Sequence, residues 1–209
     1  MTKITCLGDS IRLQYTPIVR DLLGADFEVY APSENCRFAK HTLRGLFDWE
    51  KDMRDSRIVH WNNGLWDMCD LFGDGLFTSE QEYADNILRI ADLLLSRHDT
   101  VIFATTTPVS PLNVHNKNAD IKRYNDMIVP LLRARGVIIN DLYSLVAADL
   151  DRYICDDKIH LSQEGIEMCA KAVADSIRAA EQTLPTDSSE KITAPSISSD
   201  GAPVPFEDR

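Results

Sequence analysis

The sequence predicts an α/β domain in which a five-stranded parallel sheet is covered by helices. Short apolar runs rich in β-branched residues alternate with longer segments of helical period, which is typical of such a sheet. Each apolar run is bounded by polar residues or glycine, as buried parallel strands are. The chain has 209 residues, of which 44% are hydrophobic. That length and composition suit one domain with a single core.

The five predicted strands are separated by two long connections. We predict strands, in chain order, at the segments KITCLG, FEVYA, RIVHW, TVIFATT and GVIIND. The long connections, residues 62–79 and 107–120, directly follow the third and fourth strands. Ligands bind at the carboxyl edge of an open parallel sheet, so both connections are expected to border a functional site.

Helix signals occupy the segments between these strands. Thr16 followed by Pro17 is typical of a helix start and Gly24 of a helix end, so we predict a short first helix between them. Ser79 and Glu82 have the spacing of a capping box, which predicts a helix from residue 80. We predict further helices over residues 120–135, with a kink at Pro130, and directly after Ser162.

The charge of the chain bears on its partners and its location. There are 33 acidic and 22 basic residues, which give a formal net charge of -11. An acidic surface repels phosphate backbones and anionic membranes, so we expect neither nucleic acid nor membrane as a partner. The sequence has no apolar run of about 18 residues and no signal peptide pattern at its start, so we expect a cytoplasmic protein.

Metal and disulfide motifs are missing from the sequence. The five cysteines form no CxxC pair, and the five histidines form neither HExxH nor HxxxH. We therefore expect reduced thiols, no metal site and no cofactor.

The composition changes near residue 183. We assign residues 1–182 to one domain and residues 183–209 to a tail, which is acidic and rich in proline and serine. Such a composition cannot bury a core, and the tail is predicted to be disordered.

Two short motifs at opposite ends of the chain carry the candidate chemistry. Ser10 follows the first predicted strand in the sequence GDS, and Asp157 precedes His160 by three residues just before the last predicted helix. A serine hydroxyl becomes a nucleophile only when a base takes its proton, and a carboxylate can orient the histidine that does so. Each motif by itself is also a common turn. Cys155 is a rival nucleophile, but its acidic loop does not favour a thiolate.

Together these motifs resemble the SGNH (GDSL-type) hydrolases, over residues 3 to 180. The resemblance implies a three-layer α/β/α sandwich that is flavodoxin-like. It also implies that Ser10 is the nucleophile, His160 its general base and Asp157 the residue that orients the histidine. The implied activity is that of a serine esterase, without a cofactor, that hydrolyses a small acyl ester such as an O-acetyl group, for example one carried by a carbohydrate.

The sequence departs from this family at the oxyanion hole, where a glycine amide and an asparagine side chain normally assist the amide of the nucleophile. No glycine follows the second strand, so the amide of Asn35 or a neighbour has to serve. After the third strand Asn63 aligns best as the side-chain donor and Asn62 is the next choice, although NNG is also a turn signal.

Substrate contacts and rival functions stay open. Trp66 is a candidate wall for the substrate, and Asp67 is either a substrate contact or a cap. Arg12 and Arg37 either bind a substrate carboxylate or pair with acidic residues. An acyltransferase with the same triad and a non-catalytic flavodoxin-like binding protein are alternatives; the second lacks a phosphate-binding GxGxxG motif. The substrate is expected to be a small-molecule acyl ester, and the sequence does not predict the oligomeric state.

Overall fold

A computed structural model describes residues 1–184 and contains the predicted parallel sheet. Its five strands lie in the order β2-β1-β3-β4-β5, and every neighbouring pair is parallel. The strands are β1 (Thr2–Leu7), β2 (Phe27–Tyr30), β3 (Ile58–Trp61), β4 (Thr100–Ala104) and β5 (Ile138–Asn140). The strand order reverses direction beside β1, and the carboxyl edge at this point is where a ligand site is expected.

Helices cover both faces of this sheet. They are α1 (Ser10–Leu23), α2 (Ala39–Asp48), α3 (Glu50–Met53), α4 (Glu80–Leu95), α5 (Asn118–Arg133), α6 (Leu142–Ala147), α7 (Leu150–Tyr153) and α8 (Gln163–Glu181). Helices α1 and α8 pack together, and α4 packs between α2 and α5. The result is the three-layer α/β/α sandwich that the resemblance implies.

The core lies on both sides of the central strands. All four residues of β3 are buried, as are the last four of β1 and of β4. Strands buried on both faces are continuously apolar rather than alternating, which is why their sequences predicted a parallel sheet.

The predicted start of the first helix is wrong, whereas its predicted end at Gly24 is confirmed. Helix α1 begins at Ser10, and the Asp9 carboxylate caps it by accepting a hydrogen bond from the Ile11 amide at 3.0 Å. Pro17 lies inside the helix, and the Thr16 hydroxyl donates to the Arg12 carbonyl at 2.7 Å instead of capping. The cap at Asp9 starts the helix about two turns earlier than the Thr-Pro pair indicates. Ser10 is therefore the first residue of a helix.

The other predicted helices are present. The Ser79 hydroxyl caps α4 by accepting from the Glu82 amide at 3.3 Å, and the Ser162 hydroxyl caps α8 by accepting from the Gly165 amide at 3.2 Å. Helix α5 begins and ends two residues earlier than predicted and contains Pro130. Helices α2, α3, α6 and α7 are not predicted by the local patterns of the sequence. Three of these four are short, and packing rather than local propensity sustains short helices.

The predicted tail falls almost entirely outside the described residues. Of residues 183–209 the structure describes Thr183 and Leu184; the Thr183 hydroxyl donates to the Ala180 carbonyl at 2.8 Å, and Leu184 packs against the core. The boundary at residue 183 stays a prediction. Over residues 1–184, no helix combines the length and the apolar character needed to cross a membrane.

Candidate active site

Ser10, His160 and Asp157 meet at the carboxyl edge of the sheet, although 150 positions separate the serine from the histidine. The Ser10 Oγ lies 2.8 Å from His160 Nε2, and His160 Nδ1 lies 2.6 Å from Asp157 Oδ2. Ser10 is placed by the turn between β1 and α1, and the other two by the turn before α8. The three residues form one continuous hydrogen-bonded chain.

Backbone amides hold the Asp157 carboxylate in place. Its Oδ1 accepts from the amides of Ile159 at 3.0 Å and His160 at 2.9 Å. Although burial acts to raise it, these amides and the His160 ring together hold the pKa of Asp157 below its usual range. An ionised carboxylate only accepts hydrogen bonds, so Nδ1 of a neutral His160 carries the proton. Nε2 is then free to accept the proton of the Ser10 hydroxyl.

Gln14 joins the nucleophile helix to the histidine turn, and sequence reasoning missed it. Its Nε2 donates to the Leu161 carbonyl at 3.3 Å, and its Oε1 accepts from the Leu161 amide at 3.1 Å. Gln14 lies four residues after Ser10 and hence on the same face of α1. This reciprocal pair fixes the distance between the serine and the residue that follows His160. The i, i+4 spacing from Ser10 is the one signal in the sequence that points to Gln14.

The turn that carries Ser10 is packed closely against Asn62. Gly8 has a φ of 152°, and a Cβ built there lies 2.0 Å from Asn62 Oδ1, so only glycine fits. Asn62 Nδ2 donates to Asp9 Oδ1 at 2.9 Å, and the Asn62 amide donates to the Leu7 carbonyl at 3.2 Å. Within residues 1–184 the second N–H of the Asn62 side chain has no partner. Burial raises the pKa of Asp9, whose Oδ2 is also unpaired there.

Both N–H groups of the Asn63 side chain are engaged elsewhere. Its Nδ2 donates to the Arg37 carbonyl at 2.9 Å and to the Thr42 hydroxyl at 2.8 Å, which uses both N–H groups. The backbone carbonyl of Asn63 accepts from the hydroxyls of Tyr83 and Thr106, both at 2.9 Å. Asn63 therefore ties the end of β3 to helices α2 and α4 and to the end of β4. The hydrogen bonds favour Asn62 over Asn63 as a donor to a ligand, the reverse of the predicted order.

The segment after β2 lies beside the nucleophile turn, as expected for Asn35 and its neighbours. The Cys36 amide donates to the Gly8 carbonyl at 3.0 Å, and Asn35 Oδ1 accepts from the Arg37 amide at 2.7 Å. Arg37 has a φ of 53°, a conformation that favours glycine. In the part of the chain that the structure describes, the amides of Asn35 and Phe38 donate to no other residue. These two amides are available for a ligand, as are those of Ser33 and Glu34, which donate to no other described residue.

Trp66 and Asp67 have different surroundings. The Trp66 side chain is 41% exposed, which leaves it available for a substrate. Asp67 is fully buried, and its two carboxylate oxygens lie 3.2 and 3.0 Å from the Ala39 amide at the start of α2. The predicted substrate contact of Asp67 is thus replaced by the capping alternative. No side chain of α2 caps its first turn, so Asp67 supplies that cap from the 62–79 connection.

We predict that the Asp67→Asn variant loses less stability than wild type as the pH rises. Burial raises the pKa of Asp67 to about 7, against about 4 in an unfolded chain. The folded state therefore binds more protons than the unfolded state between these values, and stability falls as the pH rises through this window. The asparagine of the variant does not titrate, so relative to wild type the variant gains on the order of 2–4 kcal/mol from pH 4 to pH 8.

Urea denaturation at intervals from pH 4 to pH 8 measures this difference. Asp74→Asn, at an exposed position of the same connection, is the matched control and is expected to parallel wild type. Stability curves of wild type and Asp67→Asn that run parallel over this range would contradict the prediction.

The two long connections contact each other, and the second of them contacts the turn that carries Asp157 and His160. The Asp70 amide donates to the His115 carbonyl at 2.8 Å, and the Ser110 amide donates to the carbonyl of Lys158, next to the triad, at 3.1 Å. Both connections expose large apolar side chains, at Trp66, Leu71, Phe72, Phe77, Leu112 and Val114. An apolar rim thus lies on the connections that border the site.

The alternative chemistry of the cysteines finds no support in the geometry. All five cysteines are free thiols. Burial and the Asp157 carboxylate raise the pKa of Cys155, which leaves its thiol protonated and a poor nucleophile. Over residues 1–184, no cluster of three histidine, cysteine or acidic side chains has the geometry to hold a metal ion.

Comparisons with known proteins agree on the fold. No protein-family model and no curated protein matches the sequence. Among solved structures, a lipase/acylhydrolase from Enterococcus faecalis has a TM-score of 0.71 and 19% identity, covering 90% of this chain and 99% of its own. A GDSL-like lipase from Bacteroides thetaiotaomicron has a TM-score of 0.67 and 15% identity, covering 86% and 89% respectively.

An acetylxylan esterase from Geobacillus stearothermophilus is also similar, with a TM-score of 0.69 and 14% identity, covering 84% of this chain and 94% of its own. At such low identity a shared structure shows a shared fold. The chain therefore has the fold of the GDSL-type (SGNH) lipases, acylhydrolases and acetylxylan esterases.

Proposed function

We propose that this protein is a serine esterase that hydrolyses a small acyl ester through an acyl-enzyme. The observation that carries the proposal is the hydrogen-bonded chain from Ser10 through His160 to Asp157. A serine within 2.8 Å of a histidine nitrogen, itself oriented by a carboxylate, is the arrangement that activates a hydroxyl for attack. The position of these three residues at the carboxyl edge of the sheet, where ligands bind in such folds, supports the proposal.

In the proposed reaction, Ser10 Oγ attacks the ester carbonyl carbon while His160 Nε2 accepts the hydroxyl proton. Asp157 stabilises the imidazolium that forms and keeps the ring in its orientation. The tetrahedral intermediate collapses when its carbon–oxygen bond to the alcohol breaks, and His160 gives its proton to the departing oxygen. Water then attacks the acyl-enzyme while His160 accepts one of its protons. The bond between the acyl carbon and Ser10 Oγ breaks, His160 returns the proton to Oγ, and the acid is released.

The oxyanion hole is proposed to consist of the Ser10 amide, the Asn62 side chain and an amide of Asn35 or Phe38. The Ser10 amide is at the first position of α1, where no intrahelical acceptor exists. Asn62 has a spare N–H and is packed against Gly8, next to the nucleophile. Fixed donors aimed at a developing negative charge lower the barrier more than donors that must reorganise.

Asn62→Ala is predicted to lower kcat by about 10²-fold to 10³-fold with little change in KM, because the lost donor acts on the transition state. Asn63→Ala is the matched neighbour and is predicted to cost about 1–3 kcal/mol of stability, with a much smaller loss of kcat. Steady-state kinetics and urea denaturation of both variants separate the two effects. A kcat loss confined to Asn63→Ala would instead identify Asn63 as the oxyanion donor, as the sequence predicted.

The proposed substrate is a small O-acyl ester such as an O-acetyl group, for example one carried by a carbohydrate. One solved structure of this fold is an acetylxylan esterase, and another is a lipase/acylhydrolase. Trp66, 41% exposed on the 62–79 connection, offers an apolar face for the part of the substrate that is not the acyl group.

The proposal is tested with a serine-reactive phosphonate and an acetyl ester. Intact mass spectrometry is expected to show one adduct on wild type and none on Ser10→Ala, and wild type is expected to release acetate from p-nitrophenyl acetate and from acetylated xylo-oligosaccharides. Wild type that neither forms an adduct nor releases acetate would refute the esterase. Acetate release confined to the aryl ester would remove the carbohydrate part of the proposal.

A further inference from the structure

Arg12 is a buried cation two residues after the candidate nucleophile. Its side chain is 1% exposed, in the first turn of α1. Taking a guanidinium out of water is costly unless good partners replace the water. Such a group is retained where its geometry serves a purpose that an apolar side chain does not.

The partners of Arg12 are backbone carbonyls rather than acidic side chains. Its Nη1 donates to the Pro32 carbonyl at 2.8 Å, and its Nη2 donates to the Glu34 carbonyl at 2.7 Å and to the Gly8 carbonyl at 3.3 Å. Throughout residues 1–184, Arg12 forms no ion pair with a carboxylate. It therefore neither pairs with an acid nor reaches a substrate carboxylate, the two roles that the sequence suggested.

These contacts join the nucleophile turn to residues 32–38, which we name the β2–α2 segment. Cys36 Sγ lies 3.6 Å from Arg12 Nη2, and the Cys36 amide donates to Gly8. The far end of the segment is held by Asn63, which donates to the Arg37 carbonyl. The segment contains no glycine, yet Arg37 adopts a left-handed conformation that is strained for a residue with a side chain. Arg12 and Asn63 hold the segment near its two ends, and the Thr42 hydroxyl, which donates to the Cys36 carbonyl at 2.9 Å, holds it in between.

We propose that Arg12 is a positioning residue that holds the β2–α2 segment against the Gly8–Ser10 turn and sets the oxyanion donors of that segment. Its planar fork reaches the Pro32 and Glu34 carbonyls together, which a lysine ammonium cannot do in the same way. The positive charge, not neutralised by a carboxylate, also favours negative charge beside Ser10. This inference rests on the proposed esterase.

Arg12→Ala tests the inference when kcat is counted per phosphonate-titrated active site. We expect kcat per titrated site to fall about 10²-fold with KM nearly unchanged, because the transition state loses a correctly placed donor. A merely structural role would lower the number of titrated sites and leave kcat per site unchanged. If Arg12→Ala does not fold, Arg12→Lys serves as the test variant. We expect the kcat per site of Arg12→Lys to be about tenfold below that of wild type.

Guanidinium rescue provides a second measurement. Millimolar guanidinium, far below the concentration that unfolds proteins, is expected to restore part of the lost kcat of Arg12→Ala. Arg20→Ala, at an exposed position of the same helix, is the control and is expected to keep wild-type kcat without any response to guanidinium.

The outcomes separate this inference from the proposed function. Wild-type turnover together with unchanged kcat per site in both Arg12→Ala and Arg12→Lys would overturn the inference and leave the esterase standing. Equal activation of Arg20→Ala and Arg12→Ala by guanidinium would also overturn it. A wild type without turnover on any ester would overturn the esterase and the inference together.

Discussion

Ser10→Ala is expected to lower kcat for acetyl ester hydrolysis by about 10⁴-fold or more, with no phosphonate adduct. The substitution removes only the hydroxyl group, and alanine has no group that can form the ester bond of the acyl-enzyme. The fold is expected to be retained because the Ser10 side chain is half-buried and its hydrogen bond is to His160. Initial rates on p-nitrophenyl acetate and circular dichroism measure both effects.

Ser33→Ala is the matched control for this variant. Ser33 is exposed on the β2–α2 segment, and the alanine variant is expected to keep wild-type kcat. A Ser10→Ala enzyme with wild-type turnover would exclude Ser10 as the nucleophile and with it the whole mechanism.

His160→Ala is expected to have an effect of the same size, about 10⁴-fold on kcat, because Ser10 then lacks the base that accepts its proton. The variant keeps the Ser10 hydroxyl, so its phosphonate adduct is expected to form at a greatly reduced rate. Time-resolved intact mass spectrometry and initial rates test the two statements. His115→Ala, at an exposed histidine on the 107–120 connection, is the control and is expected to react at the wild-type rate.

Asp157→Asn extends this test and is expected to cost somewhat less than His160→Ala. The asparagine oxygen still accepts from the amides of Ile159 and His160, but the negative charge that stabilises the imidazolium is lost.

An adduct rate in His160→Ala equal to that of wild type would assign the proton acceptor to another group.

The candidate triad was predictable because its signals are local. Ser10 directly follows a strand whose apolar run is visible in the sequence, and His160 directly precedes a helix whose cap is Ser162. Each residue could be placed at the carboxyl edge of a parallel sheet without knowledge of any distant contact. The resemblance to a known family then joined the two ends of the chain.

The choice between Asn62 and Asn63 was not predictable in this way. Both follow β3, and which of them has a spare N–H depends on what lies opposite each side chain. Asn63 meets Thr42 in α2, a helix that carries no cap in its own sequence and was not predicted. The start of α2 is instead capped by Asp67 from another connection.

The sequence by itself determined the class of fold, its five strands and four of the eight helices that the structure describes, and it predicted the three residues of the candidate triad. Periodicity, caps and turns act between residues a few positions apart, so the sequence displays them. Only the tertiary structure decided the arrangement of donors around Ser10 and the burial of Arg12. Those depend on hydrogen bonds between segments distant in the chain, such as the pair that joins Gln14 to Leu161 across 147 positions. Such contacts form when helices pack on the sheet, and no local pattern encodes them.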